Sequence, residues 1–359
     1  MIIALAMPGI AGAAQSNTRD SSWSSHPPRW TVSAEAIVFD RVGTDSQTLV
    51  ERIPGTEAFN SVKATAGTEA LNSTDLKQGF CPGFRLGAAY HVDSNHDLLL
   101  SFFRISDWDS TKSVGPDNPL NWLVMRAPGG FFQTQDFSYQ SMTWDYSAKL
   151  DNAEFNVQKK ISSRITMLAG FRWLQLHENL QGTTPPADIF QPTWKSTNPE
   201  YTLNDVANIT TGTSAPVYPP FWNTSTTNDL YGLQIGAGGK LFERGRFSIG
   251  GLIKIGGYWN HASESTGVSI AKVVYTADAS TNHAAFVGDA ALQCKYQITR
   301  QLTLKFGYQA LWLDGVALAP GQIQETYSTY APVAVTALGV NSDSNVLFHG
   351  ATAGLELSF

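Results

Sequence analysis

The chain has 359 residues, 42% of them hydrophobic and only 15% charged, with a formal net charge of −6. Soluble domains carry about 25% charged residues, so the shortfall points to a surface facing something less polar than water. The mild acidity and the lack of a basic block argue against a nucleic-acid partner. No later stretch reaches the roughly 18 apolar residues of a membrane helix, so any membrane span must be built of strands.

Met1 to Ile10 is almost wholly apolar and runs into Ala11-Gly12-Ala13-Ala14. That is the pattern of an export signal with small residues at its cleavage site. Residues 1–14 are therefore read as a signal peptide. Its positive n-region is missing, so the true start is expected upstream. Residues 15–29 are read as a periplasmic N-terminal segment.

Alternation then sets in, the period of a strand with a different solvent on each face. Trp30 to Arg41 is a lone first strand. Phe84 to Val92 turns at Asp93-Ser94-Asn95 into His96 to Ile105. Its second arm, Asp97 to Phe103, is apolar on both faces, which leaves its lipid side undecided. Met142 to Val157 turns at 159–164 into Ile165 to Leu176, with a change of parity near Leu150-Asp151 that a β-bulge would explain. Tyr231 to Leu241 turns at Glu243-Arg244-Gly245-Arg246 into Phe247 to Trp259. Phe286 to Tyr296 turns at 297–301 into Leu302 to Trp312. The last strand, Leu347 to Phe359, carries Leu355, Leu357 and Phe359 on its apolar face and ends on an aromatic residue, the form of an outer-membrane β-signal read by the barrel assembly machinery.

These segments predict an all-β, closed antiparallel transmembrane barrel of about ten strands spanning 30–359. Twelve strands are possible if Val268–Tyr275 and Tyr330–Val340 add hairpins. Short connections near Ser94, Ser162, Arg244 and Thr299 alternate with long ones at 42–79, 107–137, 177–228, 261–282 and 314–345. Short periplasmic turns and long external loops are the pattern of outer-membrane barrels. Trp144, Trp173, Trp259 and Trp312 fall near the long-loop ends of their strands, where an aromatic girdle would meet the membrane boundary.

The opposite parity predicts a lumen lined by Glu35, Arg41, Arg85, Glu154, Arg172, Lys240, Lys254, Asp289, Lys295, Lys305 and Glu356. Eight strands already fill a barrel with side chains, and sixteen or more are needed for a wide channel. Two readings stay open: a narrow water-filled pore whose charges select solutes, or a lumen plugged by ion pairs. Cys81 and Cys294 read as isolated thiols, although a disulfide is not excluded by their spacing. No metal or cofactor motif is present.

The opening Trp30…Glu35-Ala36…Arg41, the central Ala153-Glu154-Phe155-Asn156-Val157…Leu168-Ala169-Gly170-Phe171-Arg172-Trp173 and the ending Gly354-Leu355-Glu356-Leu357-Ser358-Phe359 resemble the BBP7-type outer-membrane β-barrel family. The resemblance implies a barrel with a porin-like role and no assigned substrate or catalytic set.

The expected function is passive passage of small solutes or ions across the bacterial outer membrane, with outer-membrane lipids as the surroundings and no cofactor. The alternative is a plugged barrel whose external loops bind a ligand or surface. Those loops are rich in Thr, Ser, Asn and Pro and hold Trp108, Trp122, Phe131, Phe132, Trp194 and Trp222. A rim hydrolase of omptin type is the third reading, with Asp107, Asp109, His177, Glu178, His261, Glu264, Asp278 and His283 as candidate groups.

Overall fold

A computed structural model of the chain describes residues 28–54, 67–115, 117, 121–125, 141–183, 221–270, 273–330 and 333–359. The expectations for residues 1–27, and for the loop aromatics Phe131, Phe132 and Trp194, lie outside them.

Ten strands close one antiparallel barrel. In chain order these are β1 (Trp30–Val42), β4 (Phe80–His91), β5 (His96–Val114), β7 (Met142–Lys160), β8 (Ile165–Thr183), β9 (Phe221–Arg244), β10 (Phe247–Ile270), β11 (Val273–Gln297), β12 (Leu302–Val316) and β15 (Ser344–Ser358). Outside the wall, β2 (Thr48–Pro54), β3 (Thr68–Asn72) and β6 (Asn121–Met125) form a three-stranded sheet, and β13 (Thr326–Tyr330) with β14 (Val333–Ala337) forms a hairpin. The last strand pairs with the first from Thr31↔Ser358 to Val42↔Leu347. This seam removes the free edge that hydrocarbon cannot solvate. It also demands close backbone approach. A Cβ on the inward-facing Gly350 would stand 1.9 Å from the Val38 carbonyl oxygen.

The outer face bears the lipid-facing side chains where alternation placed them. Leu355, Leu357 and Phe359 are all exposed, as are Leu233, Ile235, Ile253 and Ile255. Trp173, Tyr231 and Trp259 lie side by side on adjacent strands. Trp312 faces out on β12 and packs edge-on to Phe286, with ring centroids 5.6 Å apart. Together these rings form an outward-facing aromatic band on this side of the wall. The undecided arm of β5 resolves with Leu99 and Phe103 inward and Leu100 outward.

Trp144 does not belong to the girdle. It points into the barrel, 1% exposed, in a cluster with Leu49, Leu123, Met142, Leu180 and Trp222. The reason also corrects the bulge proposed at Leu150-Asp151. β7 pairs with β8 without interruption from Thr143↔Thr183 to Lys160↔Thr166. Asn152, Glu154, Asn156 and Gln158 face inward, and so do Trp144, Tyr146, Ala148 and Leu150. Orientation never changes along the strand; the inner environment does, from polar below to apolar above. The irregularity in this hairpin lies on β5, between Ile105 and Trp108.

The strands are also longer than expected. β8 has 19 residues, and β9, β10 and β11 have 24, 24 and 25. Most of the loop expected at 261–282 is the top of the β10–β11 hairpin, paired up to Ile270↔Val273. Val268–Tyr275 thus extends existing strands, and the hairpin near 330–340 stays outside the barrel. Ten residues of β8 beyond Trp173, at about 3.3 Å each and a tilt near 40°, lift the wall about 25 Å above the girdle.

Gly350→Ala is expected to cost about 1–3 kcal/mol through the clash at the closing seam. Heat-modifiable gel migration checks this: the variant should lose its compact folded band at a lower temperature than the parent protein.

Candidate functional site

The lumen holds two stacked layers. The lower one gathers the inward charges of eight strands. Lys295 Nζ donates to Glu356 at 2.8 Å. Lys305 Nζ lies 3.5 Å from Glu356 and 2.6 Å from Glu35. Arg85 sits 3.6 Å from Glu35 and donates to the Gln309 side-chain oxygen. Gln309 in turn donates to Asp289 at 2.8 Å. Asp289 accepts from Arg172 at 3.1 Å and meets Lys254 at 2.9 Å. Lys254 also donates to both oxygens of Glu154 at 2.9 Å, and Arg172 lies 3.7 Å from the same carboxylate.

The result is a continuous chain of alternating charge running across the bore. Its members are 0–8% exposed. Such a chain sets each desolvated charge beside an opposite one, although both Glu35 oxygens, Arg85 Nε, Arg172 Nη2 and Lys305 Nζ make no hydrogen bond, and it adds little net stability compared with an apolar filling. Its physical effect is to occupy the lumen and to require every partner.

Of the expected lumen residues, Glu35, Arg85, Glu154, Arg172, Lys254, Asp289, Lys305 and Glu356 converge here, with Lys295. Lys240 does not. It keeps the inward parity and pairs with Gly250, but it sits at the turn end of β9, one residue before a register shift, and its amine binds Glu243 of the same strand at 2.5 Å. Gln309, Gln234 and Asn152 bind Asp289, Glu154 and Arg172 respectively; alternation places Gln309 and Gln234 on the inner face, but it gives no sign that these amides join the charges.

Above the charges lies an apolar layer. Ile37, Phe39, Phe103, Ile105, Leu150 and Leu174 belong to it, with Leu311 from β12 and Phe348 from β15, all 0–2% exposed. Trp108 joins them and donates its indole N–H to the Phe39 carbonyl at 3.0 Å. Within the loops expected to be exposed, Trp108 and Trp222 are both buried.

A segment after β12 completes the closure. Gly315 takes φ +78, and the chain from Val316 to Ile323 turns into the barrel mouth, buried throughout. It includes a helical turn, Ala319–Gln322. The Asn228 side chain pairs with both the N–H and the C=O of Ala317, each at 2.7 Å. Glu178 accepts from Ala319 N–H at 2.9 Å and from the Tyr146 hydroxyl at 2.7 Å, and it pairs with Arg41. The apolar run Val316-Ala317-Leu318-Ala319 inside a long loop was the sequence signal for this insertion.

The candidate hydrolytic groups are not brought together. Glu178 is committed to Arg41, and His177, its neighbour, faces out to Thr227 at 3.0 Å. His261 bonds Asn282 at 2.9 Å, and His283 bonds the Gly315 carbonyl at 2.8 Å. Asp278 and Asp109 are exposed, and the side chain of Asp107 lies outside the described residues. Among the described residues no group of three or more His, Cys, Asp or Glu side chains could hold a metal ion. Cys81 and Cys294 are free thiols.

The family model described as putative beta barrel porin-7 (BBP7) matches residues 30–359. The chain belongs to this family, and it is an outer-membrane β-barrel of porin-like type located in the bacterial outer membrane. No curated protein matches it in sequence. Among solved structures, the chain is similar to the outer membrane protease OmpT from Escherichia coli, at 10% identity and TM-score 0.47, covering 92% of this chain and 97% of that one. It is also similar to the Ralstonia pickettii toluene transporter TbuX (8%, TM-score 0.32, covering 94% and 90%). The Pseudomonas putida toluene transporter TodX matches at 11%, TM-score 0.29, covering 93% and 90%.

Two outcomes test the interior. Lys254→Met should destabilise the barrel by about 3–5 kcal/mol, because Glu154 and Asp289 both lose their ammonium partner; chemical unfolding followed by gel migration measures it. The second concerns Glu264, which lies inside β10 above the girdle, 3% exposed. Burial holds its carboxyl up at about 7, reinforced by Asp278 and Glu325 and opposed by a hydrogen bond from Thr266. The folded state therefore binds this proton more tightly than the unfolded chain does. Stability should fall by roughly 3 kcal/mol as pH rises from 4.5 to above 7, and Glu264→Gln should flatten that dependence.

Proposed function

We propose that this barrel is a sealed outer-membrane anchor that presents its external wall and connections for recognition, rather than an open solute pore. One observation carries the reading: the charged layer, the apolar layer and the inserted segment 315–323 succeed one another along the bore. A ten-strand lumen is narrow enough for side chains to fill it, and desolvated ion pairs hold that filling in place. Free passage of ions would need both the charges and the Leu311, Phe348 and Leu174 layer to part.

The external investment supports the same reading. Six adjacent strands, β5 and β7 to β11, continue well beyond the girdle as a paired wall, and the small sheet of β2, β3 and β6 packs its residues Leu49, Val50, Leu71 and Leu123 into the cap.

Planar-bilayer recording of the purified, heat-modifiable protein tests the proposal. The expected result is a folded barrel that gives no steady steps. Salt-dependent unitary steps from the parent protein would overturn it.

A further inference from the structure

The wall of β9, β10 and β11 changes character across the girdle, and three successive rows define the change. The lowest joins Leu233, Gly257 and Phe286. Gly257 faces the lipid, and a Cβ placed on it would meet nothing within 4 Å. Phe286 packs on Trp312 rather than over the glycine. The gap is a shallow, open, mainly apolar depression of about 280 Å³, lined by Leu233, Gln234, Ile235, Ile255, Gly256, Gly257 and Phe286. The next row is the girdle itself, Tyr231, Trp259 and Ala284. Ala284 leaves the aromatic band open directly above the groove. The third row joins Asp229, His261 and Asn282.

Above that point the outward side chains are hydroxyls and amides: Asn223, Ser225 and Thr227 on β9, Ser263 and Ser265 on β10, Ser280 on β11. Hydrogen bonds order this face, from Gln175 to Asp229 at 2.8 Å and between His261 and Asn282 at 2.9 Å. Residues 221–230, 260–270 and 273–283 contain no Lys or Arg.

We propose that this track is a binding site for one outer-leaflet glycolipid with an uncharged sugar headgroup. Its acyl chain lies in the groove, and its sugar passes the Ala284 gap to the hydroxyl and amide wall. The argument rests on continuity with the bilayer boundary and on charge. A mainly apolar groove below the girdle takes hydrocarbon. A wall that offers neutral donors and acceptors, with Asp229 and Asp278 as its carboxylates and no lysine or arginine on β9, β10 or β11 above the girdle (Lys272 stands between β10 and β11 in the sequence), suits sugar hydroxyls better than phosphate. The site deepens the proposed recognition role and depends on that reading.

The test uses the full-length protein in detergent with two added lipids of matched chains, a monoglucosyl diacylglycerol and a phosphatidylglycerol. Native mass spectrometry reads the bound lipid, and bilayer recording is run on the same preparation. The glucosyl lipid should be retained preferentially. Gly257→Leu fills open space, so the barrel should fold unchanged. The variant should bind the glucosyl lipid roughly tenfold more weakly, the loss expected when about two methylenes stay unburied. His261→Ala with Asn282→Ala should abolish the preference for sugar while leaving chain binding. Equal retention of the two lipids by the parent protein, or binding unchanged by Gly257→Leu, would overturn the site. A conducting barrel that still prefers the glucosyl lipid would overturn the sealed-barrel reading alone.

Discussion

Everything in this molecule follows from closing ten strands on themselves. Backbone groups in hydrocarbon have no solvent to bond, so each strand must find two neighbours and the last must find the first. Closure at this strand number leaves a bore that side chains can span. Charges that face inward therefore meet others across the lumen instead of meeting water. The chain from Lys295 through Glu356, Lys305, Glu35 and Arg85, then by way of the neutral Gln309 to Asp289, Lys254, Arg172 and Glu154, is the consequence.

The interior is layered for the same reason. Above the membrane, apolar side chains from the wall and from the inserted segment 315–323 provide a core like that of a soluble protein. Where the wall faces lipid, the apolar residues are outside and the polar ones inside. One strand, β7, passes through both regimes, with Glu154 inward at membrane depth and Leu150 and Trp144 inward above it. The protein is thus inverted in its lower half and conventional in its upper half, and the girdle marks the change.

In the role proposed for this barrel, the layering separates anchoring from recognition. A filled lumen makes the membrane span a rigid base, and the continuation of β5 and β7 to β11 makes a paired platform on it. Glu178 ties the inserted segment to β1 through Arg41 and to β7 through Tyr146, so the cap is fixed to the wall rather than resting on it.

Strand number, topology, the closing strand and most of the inward charges were readable from residue order, because period-two alternation between two solvents is a local property of each strand. The lipid faces of β9, β10 and β15 follow from it directly. The fate of Trp144, Lys240 and the parity change at Leu150-Asp151 did not follow, because alternation reports which faces differ and not what fills the space between opposite walls. The length of the strands beyond the girdle was equally hidden: hydroxyl and amide residues read as loop until a neighbouring strand pairs with them. Which charges meet, whether the bore is filled, and where residues 315–323 go are settled only by bringing strands distant in sequence to opposite sides of one narrow cylinder.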